Sequence, residues 1–147
     1  MLRQVHPDDI EVFFHQQRDP EANEMAAFPA RDHAAHLAHW ARILRDDGLV
    51  ARTIVVGDRV VGNIGSFMGD GQRQIGYWIG REYWGRGYAT AALGEFLVEV
   101  RDRPLFAHVA EHNHASLRVL EKCGFIIVGE AQHEGDPIRE LVLQLPS

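Results

Sequence analysis

One stretch of the chain brings together residue types that can hold a phosphate. It reads Ile79-Gly80-Arg81-Glu82-Tyr83-Trp84-Gly85-Arg86-Gly87-Tyr88-Ala89-Thr90. Apolar residues feed a glycine-rich turn, and the turn feeds an apolar-periodic segment. A strand, a turn and a helix are therefore expected in that order. The first turn of a helix carries unpaired N–H groups and the positive end of the helix dipole. Such a place holds phosphate or pyrophosphate, and glycine lets the backbone approach the oxygens. Arg86 adds a charge-assisted contact. Two common phosphate motifs fit poorly. Gly80 and Gly85 have the Walker A spacing, but Arg86-Gly87 stands where that motif needs Lys and Ser or Thr. Gly85 and Gly87 are followed by Thr90, and no acidic ribose partner lies about 20 residues on, so the dinucleotide fingerprint is incomplete. A tight turn with no ligand is the alternative reading of the same residues.

The nine histidines invite a metal reading. His33, His36 and His39 are spaced i, i+3, i+6. The first two share a helix face, and the third swings away from it. His108, His112 and His114 have no cysteine or carboxylate partners at zinc spacing. No metal is expected. Cys123 reads as a small buried residue at a helix end.

The elements that must position the loop follow from periodicity and punctuation. Residues 2–5 read as a short strand. Pro7 and an acidic turn open a helix to about residue 18. Residues 19–31 hold Pro20 and Pro29 and read mostly as loop, with one helical turn near Met25. A helix spans about 32–47, capped by Asp32, with Leu37, Trp40 and Leu44 on one face and Gly48 at its end. Residues 53–56 and 60–68 form a hairpin around Gly57-Asp58, and 73–80 form the next strand. The helix after the glycine loop runs to about 101, and Pro104 stops it. A strand at 105–110, a helix at 114–123 and strands at 125–131 and 138–145 complete the chain. The expected order is β-α-α-β-β-β-α-β-α-β-β, an α/β fold with a mixed sheet covered by helices.

Composition narrows the function classes. The chain has 147 residues, 46% hydrophobic and 24% charged, with a formal net charge of −6. One domain over 1–147 is the expectation at that length. The acidity argues against nucleic acid as a partner. One cysteine allows no intramolecular disulfide and fits a cytoplasmic location. No apolar run approaches the roughly 20 residues of a membrane helix. The first residues lack the apolar core of a secretion signal.

At this point the sequence resembles the general-control-related N-acetyltransferase (GNAT) superfamily. The resemblance rests on Gly76-Tyr77-Trp78-Ile79-Gly80, on Tyr83 to Leu93, and on Asn113 to Phe125. The family's acyl-CoA loop reads Q/R-x-x-G-x-G/A, here Trp84-Gly85-Arg86-Gly87-Tyr88-Ala89. Trp84 replaces the Gln or Arg, a departure that looks like the ribosomal-protein N-acetyltransferase-like branch. The second block, N-x-x-S-x-x-V-L-E-K-x-G-F, is complete. The resemblance covers essentially the whole chain. It implies a sheet of about six to seven strands with a V-shaped split, flanked by about four helices.

It also implies a site. Acetyl-CoA, as cosubstrate, would lie between the strands at 73–80 and 105–110. Tyr77, Trp78 and Ile79 would meet the pantetheine arm, with backbone groups of Tyr77 and Ile79 binding it like an added strand. Trp84, Gly85, Arg86, Gly87, Tyr88, Ala89 and Thr90 would surround the pyrophosphate. Asn113 would bond the arm, a role compatible with capping the helix at 114–123. Ser116 would lie near the thioester or the arm. The acceptor groove would be lined by Met25, Phe28, His36, Trp40, Asn63, Ser66 and Phe67, although core packing is the simpler reading of Trp40.

Acetyl transfer to an amine needs a neutral amine. A Lys-like amine of pKa about 10.4 is neutral in only about one molecule in 10³ at pH 7. A base must take its proton, and the oxygen of the thioester must be stabilised, for instance by an N–H near Ile79. His108 lies where some relatives place a catalytic carboxylate, and a solvent-facing strand histidine is the alternative. Glu82 and Glu111 are nearby acids. Many relatives carry a tyrosine as general acid where this chain has Leu120, which leaves Ser116 or a water for that task. Three functions are open: acetylation of a small-molecule amine or amino acid, acetylation of a protein N-terminus, and a non-catalytic acyl-CoA-binding module. A monomer or a homodimer is expected, with 138–145 as a candidate exposed edge.

Overall fold

Gly57, in the left-handed region at φ 64°, closes a hairpin whose register sets most of the sheet. The computed structural model describes residues 1–132 and 134–146. Among these lie seven strands: β1 (Leu2–Gln4), β2 (Val50–Val56), β3 (Arg59–Gly69), β4 (Gln72–Ile79), β5 (Leu105–Ala110), β6 (Ile126–Ala131) and β7 (Glu140–Leu145). They form one sheet in the order β1-β2-β3-β4-β5-β7-β6. Neighbours are antiparallel except β4 and β5.

The β4–β5 pair is parallel and touches in register only at Gln74 and Phe106. β4 continues to Ile79 and β5 to Ala110, so the two strands splay apart into a V. β3 holds β4 closely along its other edge. A Cβ on Gly62 would sit 2.0 Å from the Trp78 carbonyl oxygen, so only glycine allows that approach.

Five helices surround the sheet: α1 (Asp9–Gln16), α2 (Pro20–Ala26), α3 (His33–Arg45), α4 (Tyr88–Glu99) and α5 (His114–Lys122). α1 packs on β3 and α3, whereas α4 packs on β1, β3, β4 and α5. Leu93 and Phe96 of α4 join Ile64, Ile75 and Leu143 of the sheet and Leu120 of α5 in the buried core.

The order of elements follows the sequence reading, with three corrections. α2 is a seven-residue helix where loop with a single helical turn near Met25 is expected, which makes five helices rather than about four. Pro20 does not break it, because at its first position proline removes only an N–H that has no partner anyway. The Asp19 carboxylate accepts from Glu21 N–H and Ala22 N–H at 2.9 and 3.2 Å. α3 does not bury Leu37 and Leu44, which are exposed. It buries His36 and Trp40, one turn apart, against α1. Finally, β7 lies inside the sheet, and the edge strand is β6, with Ile126, Ile127 and Val128 exposed.

Candidate active site

The splayed strands leave one edge of β4 free. Gly80 N–H donates to the Val61 carbonyl at 2.8 Å, and Gly80 is two residues beyond Trp78 on the β3 side. Strand alternation therefore turns the N–H and C=O of Tyr77 and Ile79 into the split. The Ile79 carbonyl accepts from the Trp84 indole N–H at 2.9 Å. Trp84 thus braces the glycine loop against the end of β4, a structural task for the residue that departs from the family motif.

The loop then enters α4. Gly85 and Gly87 take φ of 75° and 78°, and a Cβ on either would meet nothing within 4 Å. Gly87 is the N-cap and offers no side chain. The first intrahelical bond runs from Ala91 N–H to the Gly87 carbonyl. The N–H groups of Tyr88, Ala89 and Thr90 therefore have no partner within the helix. They face a cavity of about 540 Å³ that Tyr77, Trp78, Met25, Asn113 and Ser116 also line. Arg86, Arg118 and Lys122 contribute cations to its wall, and no carboxylate residue does. In a chain of net charge −6, this local excess suits a polyanion. Arg118 and Lys122 belong to the Asn113–Phe125 block but are not among the residues expected to meet the cosubstrate. Their i, i+4 spacing on the helix after Asn113 is the signal that reveals them.

A second cavity of about 110 Å³ lies inside the split. Its wall includes Ile75 and Gly76 of β4, Ala107 to Ala110 of β5, and Leu120 of α5. It shares Ala26, Tyr77, Asn113 and Ser116 with the larger one. Asn113 caps α5 by accepting from Ser116 N–H at 3.3 Å. The Tyr77 hydroxyl and Ser116 Oγ are hydrogen-bonded at 2.6 Å. Burial pushes the Tyr77 phenol up to about 12, against the opposing pull of that bond, so it stays protonated. His108 also lines this cavity, and its Nε2 is buried without a hydrogen-bond partner among the described residues. Its Nδ1 lies 3.8 Å from Glu140 Oε1 of β7.

α2 spans the open end of the V. Arg81, just after β4, pairs with Asp19 at 3.6 Å and with Glu21 at the start of α2. His112, just after β5, bonds the Glu24 carbonyl at 2.8 Å near its end. The helix is tied to both lips of the split.

The expected acceptor residues divide. Met25 lines the larger cavity. Phe28 is half-exposed and meets the Trp78 ring edge-on at 6.1 Å, with Arg31 4.7 Å above it. Asn63 is the register partner of Trp78 and shares its face of the sheet, as does Phe67. Ser66 does not belong with them. Three residues from Asn63 along a strand, it faces the opposite side and is fully buried. His36 and Trp40 are core residues. His36 bonds the Ile10 carbonyl at 2.8 Å, and Trp40 stacks on Phe13 with centroids 4.9 Å apart. The helical histidines do not converge, since His33 pairs with Glu11 at 2.6 Å while His36 turns into the core.

Known proteins share this architecture. The spermidine N-acetyltransferase of Vibrio cholerae, solved with CoA and spermine, superposes with a TM-score of 0.82 at 14% identity, over 98% of this chain and 93% of that one. The microcin C7 self-immunity acetyltransferase MccE, solved with acetyl-CoA and AMP, gives 0.79 at 17% identity, over 97% and 89%. In sequence, the uncharacterized N-acetyltransferase p20 of Bacillus licheniformis is 26% identical over 137 residues, 84% of this chain and 77% of its own length. Residues 1–126 match the acetyltransferase (GNAT) domain, and the chain belongs to that family.

Proposed function

We propose that the protein transfers an acetyl group from acetyl-CoA to a primary amine by direct transfer in a ternary complex. The observation that carries this is the wall shared by the two cavities. It joins a cation-lined chamber suited to a pyrophosphate to a chamber lined by His108, whose buried Nε2 has no partner among the described residues. CoA presents a pyrophosphate, an amide-bearing arm and an acetyl thioester. The free N–H groups of Tyr88 to Thr90, the exposed edge of β4 and the Tyr77–Ser116 pair suit these in that order along the cavity.

The residues then have separate tasks. His108 Nε2 takes the proton from the acceptor ammonium. The Ile79 N–H supports the oxygen as negative charge develops on it. Ser116, backed by the neutral Tyr77 phenol, offers a proton to the departing sulfur, whose thiol has an ordinary pKa near ~8.5. This relieves the lack of a tyrosine at Leu120. Holding the two reactants together supplies several kcal/mol more, roughly 7–11 at the upper limit. The relatives solved with spermine and with AMP carry their ligands on the same fold, and the acceptor here is a small-molecule amine or amino acid.

The test is CoA release from acetyl-CoA with spermidine, with free amino acids and with a short peptide bearing a free N-terminus. Saturable release with a small amine is expected. Release with the peptide alone makes the protein an N-terminal acetyltransferase. Binding of acetyl-CoA with no release in any case makes it an acyl-CoA-binding module. His108→Ala should lower turnover on the order of 10²-fold while acetyl-CoA binding persists.

A further inference from the structure

Glu140 lies outside both the glycine loop and the Asn113–Phe125 block, yet the sheet brings it to the base. β5 and β7 pair with His108 opposite Val142 and Ala110 opposite Glu140. His108 and Glu140 are therefore diagonal neighbours on one face of the sheet. Glu140 Oε1 stands 3.8 Å from His108 Nδ1, and both side chains are mostly buried, at 18% and 27% exposure. On the other side of the ring, Nε2 is closed off from solvent and has no hydrogen-bond partner among the described residues, and His108 is one of the residues lining the smaller cavity. Tyr77 is the other titratable residue on that cavity's wall, and it is a neutral phenol. Ala131 of β6 is the register partner of Glu140.

We infer that Glu140 is a positioning residue that holds His108 in the tautomer with the proton on Nδ1 and the lone pair on Nε2. This rests on the reading of His108 as the base. A neutral imidazole has one N–H, and an ionised carboxylate can only accept. At 3.8 Å the two groups are an electrostatic pair rather than a hydrogen bond, and a proton on Nδ1 turns the positive end of the N–H dipole toward the carboxylate. The opposite tautomer would set a lone pair against the carboxylate and leave a buried N–H without an acceptor, which is the costlier arrangement. Nε2 is then the nitrogen able to accept a proton. When the acceptor ammonium gives up its proton, Nε2 gains it, Nδ1 keeps its own, and the imidazolium lies beside the Glu140 carboxylate. The amine nitrogen keeps the electron pair it needs for attack.

The ring nitrogens of His108 report this directly. In the full chain with ¹⁵N-labelled histidine, at a pH where the imidazole is neutral, His108→Ala assigns the resonances. The wild type should show a protonated Nδ1 and an unprotonated Nε2. Glu140→Gln keeps an acceptor oxygen and should keep that tautomer. Glu140→Val, which suits a strand, should lose it and populate the Nε2–H form. In turnover, Glu140→Val should lower kcat on the order of 10- to 100-fold, as orienting partners of histidine do elsewhere, with KM for acetyl-CoA unchanged. A predominant Nε2–H form in the wild type overturns the inference. Identical ring shifts in the wild type and Glu140→Val overturn it as well. The measurement needs neither acetyl-CoA nor an amine. A correct tautomer with no acetyl transfer would refute the catalytic reading alone, and transfer with the wrong tautomer would refute this inference alone.

Discussion

Asp9 is a buried carboxylate, 4% exposed, and its partners explain why it stays ionised. Burial pushes its pKa up. The Arg3 guanidinium at 2.7 and 2.9 Å, the His6 N–H and the Thr53 hydroxyl more than offset that, and hold it at about 2. The unfolded carboxyl has its ordinary value of 3.8. The folded state therefore binds fewer protons between these values, and the stability Asp9 contributes is present above pH 4 and lost as pH falls through 2. The difference corresponds to about 2 kcal/mol. Asp9→Asn should lose that much in urea unfolding at neutral pH and should flatten the acid limb below pH 4. An unchanged acid limb would assign the effect elsewhere. Gly87 makes a prediction of the opposite kind. In the free protein a Cβ there meets nothing, so the cost of Gly87→Asp is its left-handed φ of 78°, about 1–2 kcal/mol. The added carboxylate points toward the phosphate position, and CoA affinity should fall on the order of 100-fold by calorimetry. Gly87→Ala separates the backbone from the charge. The glycine loop is legible in sequence because strand, turn and helix N-terminus are contiguous there. Glu140 is not, because its meeting with His108 exists only in the β5–β7 register.

Elements carry a different kind of information. α2 outruns the single helical turn expected near Met25, and its full length becomes legible once Asp19-Pro20 is read as cap and first turn, as Pro7 is read for α1. The error at α3 comes from choosing the wrong stripe. Leu37, Trp40 and Leu44 share a face by spacing, but α1 receives His36 and Trp40. Apolar character alone cannot rank two overlapping stripes when a histidine finds a carbonyl to bond, as His36 does at Ile10. Ser66 and Asn63 are separated by strand alternation, a rule available from the sequence. α3 also carries a pH dependence. Burial, then Arg31, Arg42 and His36, lower His39 from 6.5 to about 4. The unfolded chain takes up this proton near pH 6.5 and the folded chain resists until about 4, so stability falls as pH drops through that window. The loss is on the order of 3 kcal/mol. His39→Gln should reduce this slope between pH 6.5 and 4 in urea titrations, and the part that remains belongs to His36, which burial also lowers. The Asp9 limb below 4 should remain, which keeps the two origins apart.

At the scale of the whole molecule, the sheet is two antiparallel sections joined by a single register pair. β1 to β4 and β5 to β6 meet at Gln74 and Phe106, with α2 tied across the far end. Beyond that pair, the Tyr77 and Ile79 amides on the open edge have no strand to bond. A ligand laid along β4 would supply their partners and join the sections. At a concentration about 100 times its Kd, acetyl-CoA should add about 2.7 kcal/mol of stability. For a chain of this size that is a rise in Tm of roughly 8 °C. The location of the effect is the sharper test. In hydrogen exchange, the amides of Tyr77 and Ile79 and those of Tyr88 to Thr90 should become protected. Those of β6, at the distant edge of the sheet, should gain only what global stability confers. A Tm rise with protection at Tyr88 to Thr90 alone would mean that the ligand is held by its phosphates and the split is not its path. Protection at Tyr77 and Ile79 as well would place the ligand's arm against β4, within reach of the wall that joins the two cavities.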